Sequence, residues 1–104
     1  SWVYSYRKVV LMKAILTPQR SDNVMNVSAK GDVLTIEVDG VTDSFDFSTL
    51  KDGDIAVDFV SVLSPNPVRK ARKESGEVIV GLIGFYGPDA EESEMQTREV
   101  ILNG

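Results

Sequence analysis

Apolar and polar residues in this chain alternate with a period of two, and turn-forming pairs cut the alternation at short intervals. The clearest case places Leu34, Ile36 and Val38 on one face and Thr35, Glu37 and Asp39 on the other. Successive side chains of an extended backbone point to opposite faces, so this pattern makes a strand with one buried side. Asp39-Gly40 comes next, and both residues tolerate the positive φ that a two-residue hairpin turn demands. Residues 41–47 then form the return strand, with Phe45 and Phe47 inward and Asp46 outward. A slip of one residue in this pairing would turn the whole apolar set into water, so the pattern also sets the register.

The rest of the chain reads in the same way. Residues 9–16 are β-branched and apolar, and Thr17-Pro18 is predicted to stop them, because proline cannot donate to a sheet ladder. Residues 19–23 are a polar loop. Met25 and Val27 alternate with Asn26 and Ser28 in a half-buried strand that ends at Lys30-Gly31-Asp32. Residues 48–51 have room for one helical turn before Asp52-Gly53-Asp54 closes it. Residues 56–63 are apolar apart from Asp58 and Ser61, and Ser64-Pro65-Asn66-Pro67 ends that stretch. Residues 69–75 are predicted to be a charged loop or the exposed tip of a hairpin. Residues 77–86 form the most hydrophobic strand, Gly87-Pro88 stops it, residues 89–94 make an acidic connection, and residues 98–102 close the fold.

These segments predict an all-β fold, a small antiparallel β-sandwich or barrel of about six or seven strands, with no helix of three turns. Its expected core contains Leu34, Ile36, Val38, Phe45, Phe47, Val80 and Leu82. The length of 104 residues allows one domain, expected over residues 12–104. Ser1 is not an initiator, whereas Met12 sits where a start would lie, so residues 1–11 read as an upstream extension that itself forms a strand.

Composition then narrows the chemistry. The sequence has no His and no Cys, which removes imidazole bases, thiolate nucleophiles, disulfides and ordinary zinc sites from its repertoire. Eleven Lys and Arg against 16 Asp and Glu give a net charge of −5, which disfavours general nucleic-acid binding. The longest apolar run, residues 9–12, is too short to span a bilayer, so no membrane partner is expected.

Four constellations invite a functional reading. Trp2, Tyr4 and Tyr6 share one strand face, as core cover or as an aromatic platform. Gly81, Gly84 and Gly87 are spaced like a phosphate loop, but no helix or P-loop lysine follows, and glycines that allow close approach or a bulge within a strand explain them better. Asp52, Asp54 and Asp58, with Asp43 and Asp46, lack the order of a calcium loop and fit ordinary turns; no metal or cofactor is expected. Finally Arg69, Lys70, Arg72 and Lys73 form the basic cluster, while Asp89, Glu91, Glu92 and Glu94 form a comparable acidic one. The two are suited to pair within a chain or between identical chains, setting orientation more than affinity.

Several landmarks occur in order: Thr17-Pro18-Gln19-Arg20, Gly31-Asp32-Val33-Leu34-Thr35-Ile36, Phe45-Asp46-Phe47-Ser48, Asp52-Gly53 and Gly87-Pro88-Asp89-Ala90. Over residues 12–96 they resemble small uncharacterised proteins of tailed bacteriophages and prophages, commonly encoded near tail genes. The chain departs from that pattern at Lys51, where the resemblance leads one to expect a proline, and in the basic cluster. The resemblance implies a non-enzymatic structural or assembly accessory that binds other phage proteins, in the bacterial host cytoplasm or the virion. Two other classes stand beside it: a small-ligand binder or carboxylate-based enzyme using Asp46, Asp54 and Asp58, and a host-directed regulator acting through the basic cluster. An N-terminal segment rich in aromatics and two oppositely charged loops also lead us to expect a homo-oligomer, most simply a dimer.

Overall fold

The computed structural model describes residues 11–103. They form eight strands: β1 (Leu11–Arg20), β2 (Met25–Lys30), β3 (Val33–Val38), β4 (Val41–Asp46), β5 (Ile55–Val57), β6 (Val68–Glu74), β7 (Glu77–Tyr86) and β8 (Arg98–Asn103). A five-stranded sheet runs in the order β5-β6-β7-β1-β8, and a three-stranded sheet runs β2-β3-β4. The fold is small and all-β, as the alternation predicts.

The β2-β3-β4 meander follows directly from local pattern. Leu34 pairs with Phe45 and Val38 with Val41 across a two-residue turn. At that turn Asp39 and Gly40 have φ of 50° and 85°, the left-handed pair that matches the twist of a hairpin. All seven expected core residues are buried, with Leu34, Ile36 and Val80 at 0% exposure. The two sheets share one core: Met12, Ala14 and Leu16 of β1 and Val78, Val80 and Leu82 of β7 join Leu34, Ile36, Val38 and Phe45 of the small sheet.

Every strand pair is antiparallel except one. β1 and β7 run parallel from Met12 opposite Val78 to Arg20 opposite Tyr86. Parallel neighbours need a long crossover. Here the crossover is the whole meander together with β5 and β6. Gly84 permits the close packing of these two strands, since a Cβ there would stand 3.1 Å from Cβ of Leu16. This agrees with the structural reading of the spaced glycines.

Three expectations need correction. Thr17-Pro18 does not end the first strand, which continues to Arg20. The reason lies in the neighbours: β8 pairs with β1 only as far as Leu16, so beyond it β1 has no strand on that side among the described residues. A missing N–H there removes no ladder bond. Residues 69–75 are not a loop, because residues up to Glu74 belong to β6 and only Ser75-Gly76 form the tip. The register slips between Val68 and Lys70, so Arg69 bulges and the buried positions, Val68 and Ala71, fall three apart. That spacing hides a strand from any period-two search. Residues 56–63 are not one strand either: pairing ends at Val57, and Asp58 turns the chain aside with φ of 63°.

Candidate interaction surfaces

The aspartates singled out in the sequence are dispersed, and most of them hold loops in place. Asp46 accepts the Ser48 amide at 2.9 Å, and Asp54 accepts the Lys51 amide at 2.9 Å. Asp52 accepts the Gly76 amide at 2.9 Å, tying the turn before β5 to the β6–β7 tip. Among the described residues no group of three or more carboxylates is placed to hold a metal ion. Two concavities stand out: one of about 220 Å³ beside Asn26, Ser28, Thr35 and Glu37 on the outer face of the small sheet, and one of about 290 Å³ beside Phe85, Tyr86, Asp89 and Glu94. Asp46, Asp54 and Asp58 line neither.

The basic and acidic clusters do not meet. Arg69 and Lys70 of β6 are exposed and Arg72 and Lys73 half-buried. Arg72 pairs with Glu74 on its own strand. In the acidic segment Asp89, Glu91 and Glu92 are exposed, and Glu94 turns back to accept the Glu91 amide at 2.7 Å, opening a 3-10 helix over Glu92–Met95. Among the described residues no ion pair joins the two clusters, so the within-chain version of that pairing is not formed. Trp2, Tyr4 and Tyr6 lie outside the described residues.

Sequence reasoning missed the feature that stands out most on the surface. The loop between β5 and β6, read from the sequence only as part of an apolar segment, presents two valines to solvent: Val60 is 98% exposed and Val62 70%. This is not a slack loop. On one side of the valines Phe59 packs edge-on between Phe45 and Phe47, with ring centroids 6.1 and 6.0 Å away. Beyond them Leu63 is buried, at 4% exposure. Between these anchors Asp43 of β4 accepts the Ser61 hydroxyl at 2.6 Å and the Val62 amide at 3.3 Å. Asn66 donates to the Phe59 carbonyl at 2.9 Å and accepts the Val68 amide at 3.1 Å, closing the base.

The neighbouring strand adds to this surface. Ile55 and Val57 of β5 are 66% and 57% exposed, and Ala56 between them faces inward. β5 is the last strand of its sheet, with β6 on one side and no strand on the other among the described residues. An open edge carrying β-branched apolar residues is a template for another strand. Natural sheets block such edges with charge, and here Asp52, Asp54 and Asp58 bracket β5 in sequence.

Carboxylates that hold loops make stability depend on pH. The Asp43 carboxyl lies below its ordinary value of 3.8, chiefly through the Ser61 hydroxyl and then the Ser44 amide. Asp39 is lowered by the Val24 amide and the Asn23 side chain, and Asp46 by the amide and hydroxyl of Ser48. A folded value below the unfolded one means that the unfolded chain takes up protons first, so stability rises with pH across that window. The contribution is complete above 3.8 and is lost as pH falls through the lower folded values. The urea midpoint is therefore expected to drop on acidification through this range, and less steeply in Asp43→Asn. Equal slopes for both proteins would remove Asp43 from the account. At the other end of the scale Lys13 bridges Glu77 at 3.1 Å and Glu99 at 3.2 Å across β7, β1 and β8. These partners, Glu77 first, raise its ammonium above 10.5, so that contribution is present below 10.5 and disappears as pH rises through the folded value.

Comparison with protein-family models, with curated proteins and with solved structures gives no match.

Proposed function

We propose that this chain acts through protein–protein contact, as a non-enzymatic accessory of phage or prophage assembly that binds other phage proteins and copies of itself. The observation that carries the contact role is the pair Val60 and Val62, held outward by a loop anchored at Phe59, Asp43, Leu63 and Asn66. Leaving an apolar side chain in water forgoes about 1.5–3 kcal/mol of burial, so a rigid loop that displays two is suited to a partner surface. The phage setting rests on the ordered landmarks from Thr17 to Ala90. On this reading the protein works in the host cytoplasm or on the particle.

The test is affinity purification of the tagged full chain from induced cells, with the Val60→Asp/Val62→Asp double variant beside it. Tail components are expected to accompany the parent and to be lost from the variant. Both valines are exposed, so the variant is expected to keep the parent's far-UV spectrum. Recovery of the same tail components with the variant would dismiss these residues as the contact. Recovery of none with either protein would dismiss the assembly role.

A further inference from the structure

We infer that the concavity of about 290 Å³ beside Phe85, Tyr86, Asp89 and Glu94 receives Lys70 of a second copy of this chain, and that a two-fold dimer makes this contact twice. The inference rests on the self-association included in the role proposed above, and it gives that self-association a surface separate from the valine loop.

The concavity has the chemistry of a receptor for a cationic side chain. Phe85, Tyr86 and Pro88 supply apolar wall, while Asp89 and Glu94 supply negative charge. Glu94 is held in position, since its carboxylate accepts the Glu91 amide at 2.7 Å. Asp89 is exposed and belongs to no ion pair among the described residues. Lysine suits such a site because its apolar stem lies along rings while its ammonium meets carboxylates, and an aromatic face itself attracts a cation.

The matching cation stands on the same face of the same sheet. Val80 and Leu82 of β7 are buried in the shared core, and a Cβ on Gly84 would meet Leu16, so Gly81 and Phe85 point to the opposite, outer face. Lys70 of β6 pairs with Gly81, and its Cγ lies 3.7 Å from where a Gly81 Cβ would stand, so its stem runs over that outer face. Arg69 is exposed beside it at the bulge, and neither residue makes an ion pair among the described residues. Gly81 and Phe85 are four residues apart, about 13 Å at about 3.3 Å per residue, which puts the concavity beyond the reach of its own chain's Lys70. A two-fold rotation that exchanges the two positions instead lays each Lys70 against the other copy's concavity, and the assembly closes at two. The net charge of −5 on each copy resists approach from afar, but at about 0.15 M salt that repulsion is screened beyond about 8 Å, whereas a contact pair lies within this range.

The test follows molar mass by light scattering on the full chain from low to high micromolar concentration at about 0.15 M salt. The parent is expected to dimerise. Lys70→Glu and Asp89→Lys are each expected to weaken the dimer by about tenfold or more, because each reversal is felt at both contacts. Mixing the two variants is expected to restore a dimer of parental strength: the reversed charges face each other at one contact, and the native pair is kept at the other. Both residues are exposed, so each variant is expected to keep the parent's far-UV spectrum. Lys30→Glu, the same change of charge on β2 of the other sheet, is expected to leave the dimer intact, and so is Val60→Asp/Val62→Asp. A mixture that stays monomeric would overturn the inference, as would a Lys70→Glu dimer no weaker than that of Lys30→Glu. A dimer dissolved by the valine substitutions and indifferent to Lys70→Glu would also overturn it, while leaving the valine contact standing. A parent that is monomeric at every concentration would overturn it too, and the assembly role would still be judged separately by recovery of tail components.

Discussion

Truncating Phe47 to alanine is expected to lower the unfolding free energy by about 3–5 kcal/mol, a large part of the roughly 5–15 kcal/mol that holds a domain together. Phe47 is 3% exposed, follows directly on β4, and donates its amide to the Asp32 carbonyl at 2.9 Å. Its ring also meets Phe59 edge-on, so the truncation leaves a void under the loop that carries Val60 and Val62. The effect therefore couples to that of Phe59→Ala: removing both rings is expected to cost less than the two single losses added, because the second truncation deletes contacts that the first has already weakened. Urea denaturation of the three variants measures this. Additive losses would show that Phe59 is not held by Phe47, and a Phe47→Ala protein as stable as the parent would remove that ring from the core.

The second large effect is expected at Leu34, where alanine should cost about 2–5 kcal/mol. Leu34 sits in the middle strand of the small sheet with 0% exposure and is paired with Phe45. Val60→Ala, by contrast, is expected to change stability by less than about 0.5 kcal/mol, since a 98% exposed side chain has little burial to lose. Both residues lie in apolar stretches of the sequence, so comparing their urea midpoints separates a residue kept for packing from one kept for contact. A loss at Val60 as large as that at Leu34 would mean that the valine packs within its own chain.

Local pattern was enough wherever a strand lies next to its partner in sequence and has one dry face. The β2-β3-β4 meander, its Asp39-Gly40 turn and its inward residues were all legible for that reason. The aspartates were legible as turn residues, because a carboxylate that accepts a nearby amide needs only short-range chain geometry. The exposed valines were not legible. Residues 56–63 have the composition of a buried strand, and only the packing of Phe59 between Phe45 and Phe47 of another segment, with Leu63 buried beyond, leaves Val60 and Val62 facing outward.

The same division runs through the larger sheet. Alternation by itself determined an all-β chain, the small sheet's register and most of the core, since burial of one face is a property that each strand carries on its own. Which strands stand side by side was decided only in three dimensions. β1 finds β7 across more than half the chain and pairs with it in parallel, β8 stops short and so makes room for Pro18, and β6 is recognisable as a strand because β7 needs a neighbour on its second side. No residue near β5 encodes its place at the edge. That place follows from where the five-stranded sheet runs out of strands, and it leaves Ile55 and Val57 facing solvent beside the valine loop.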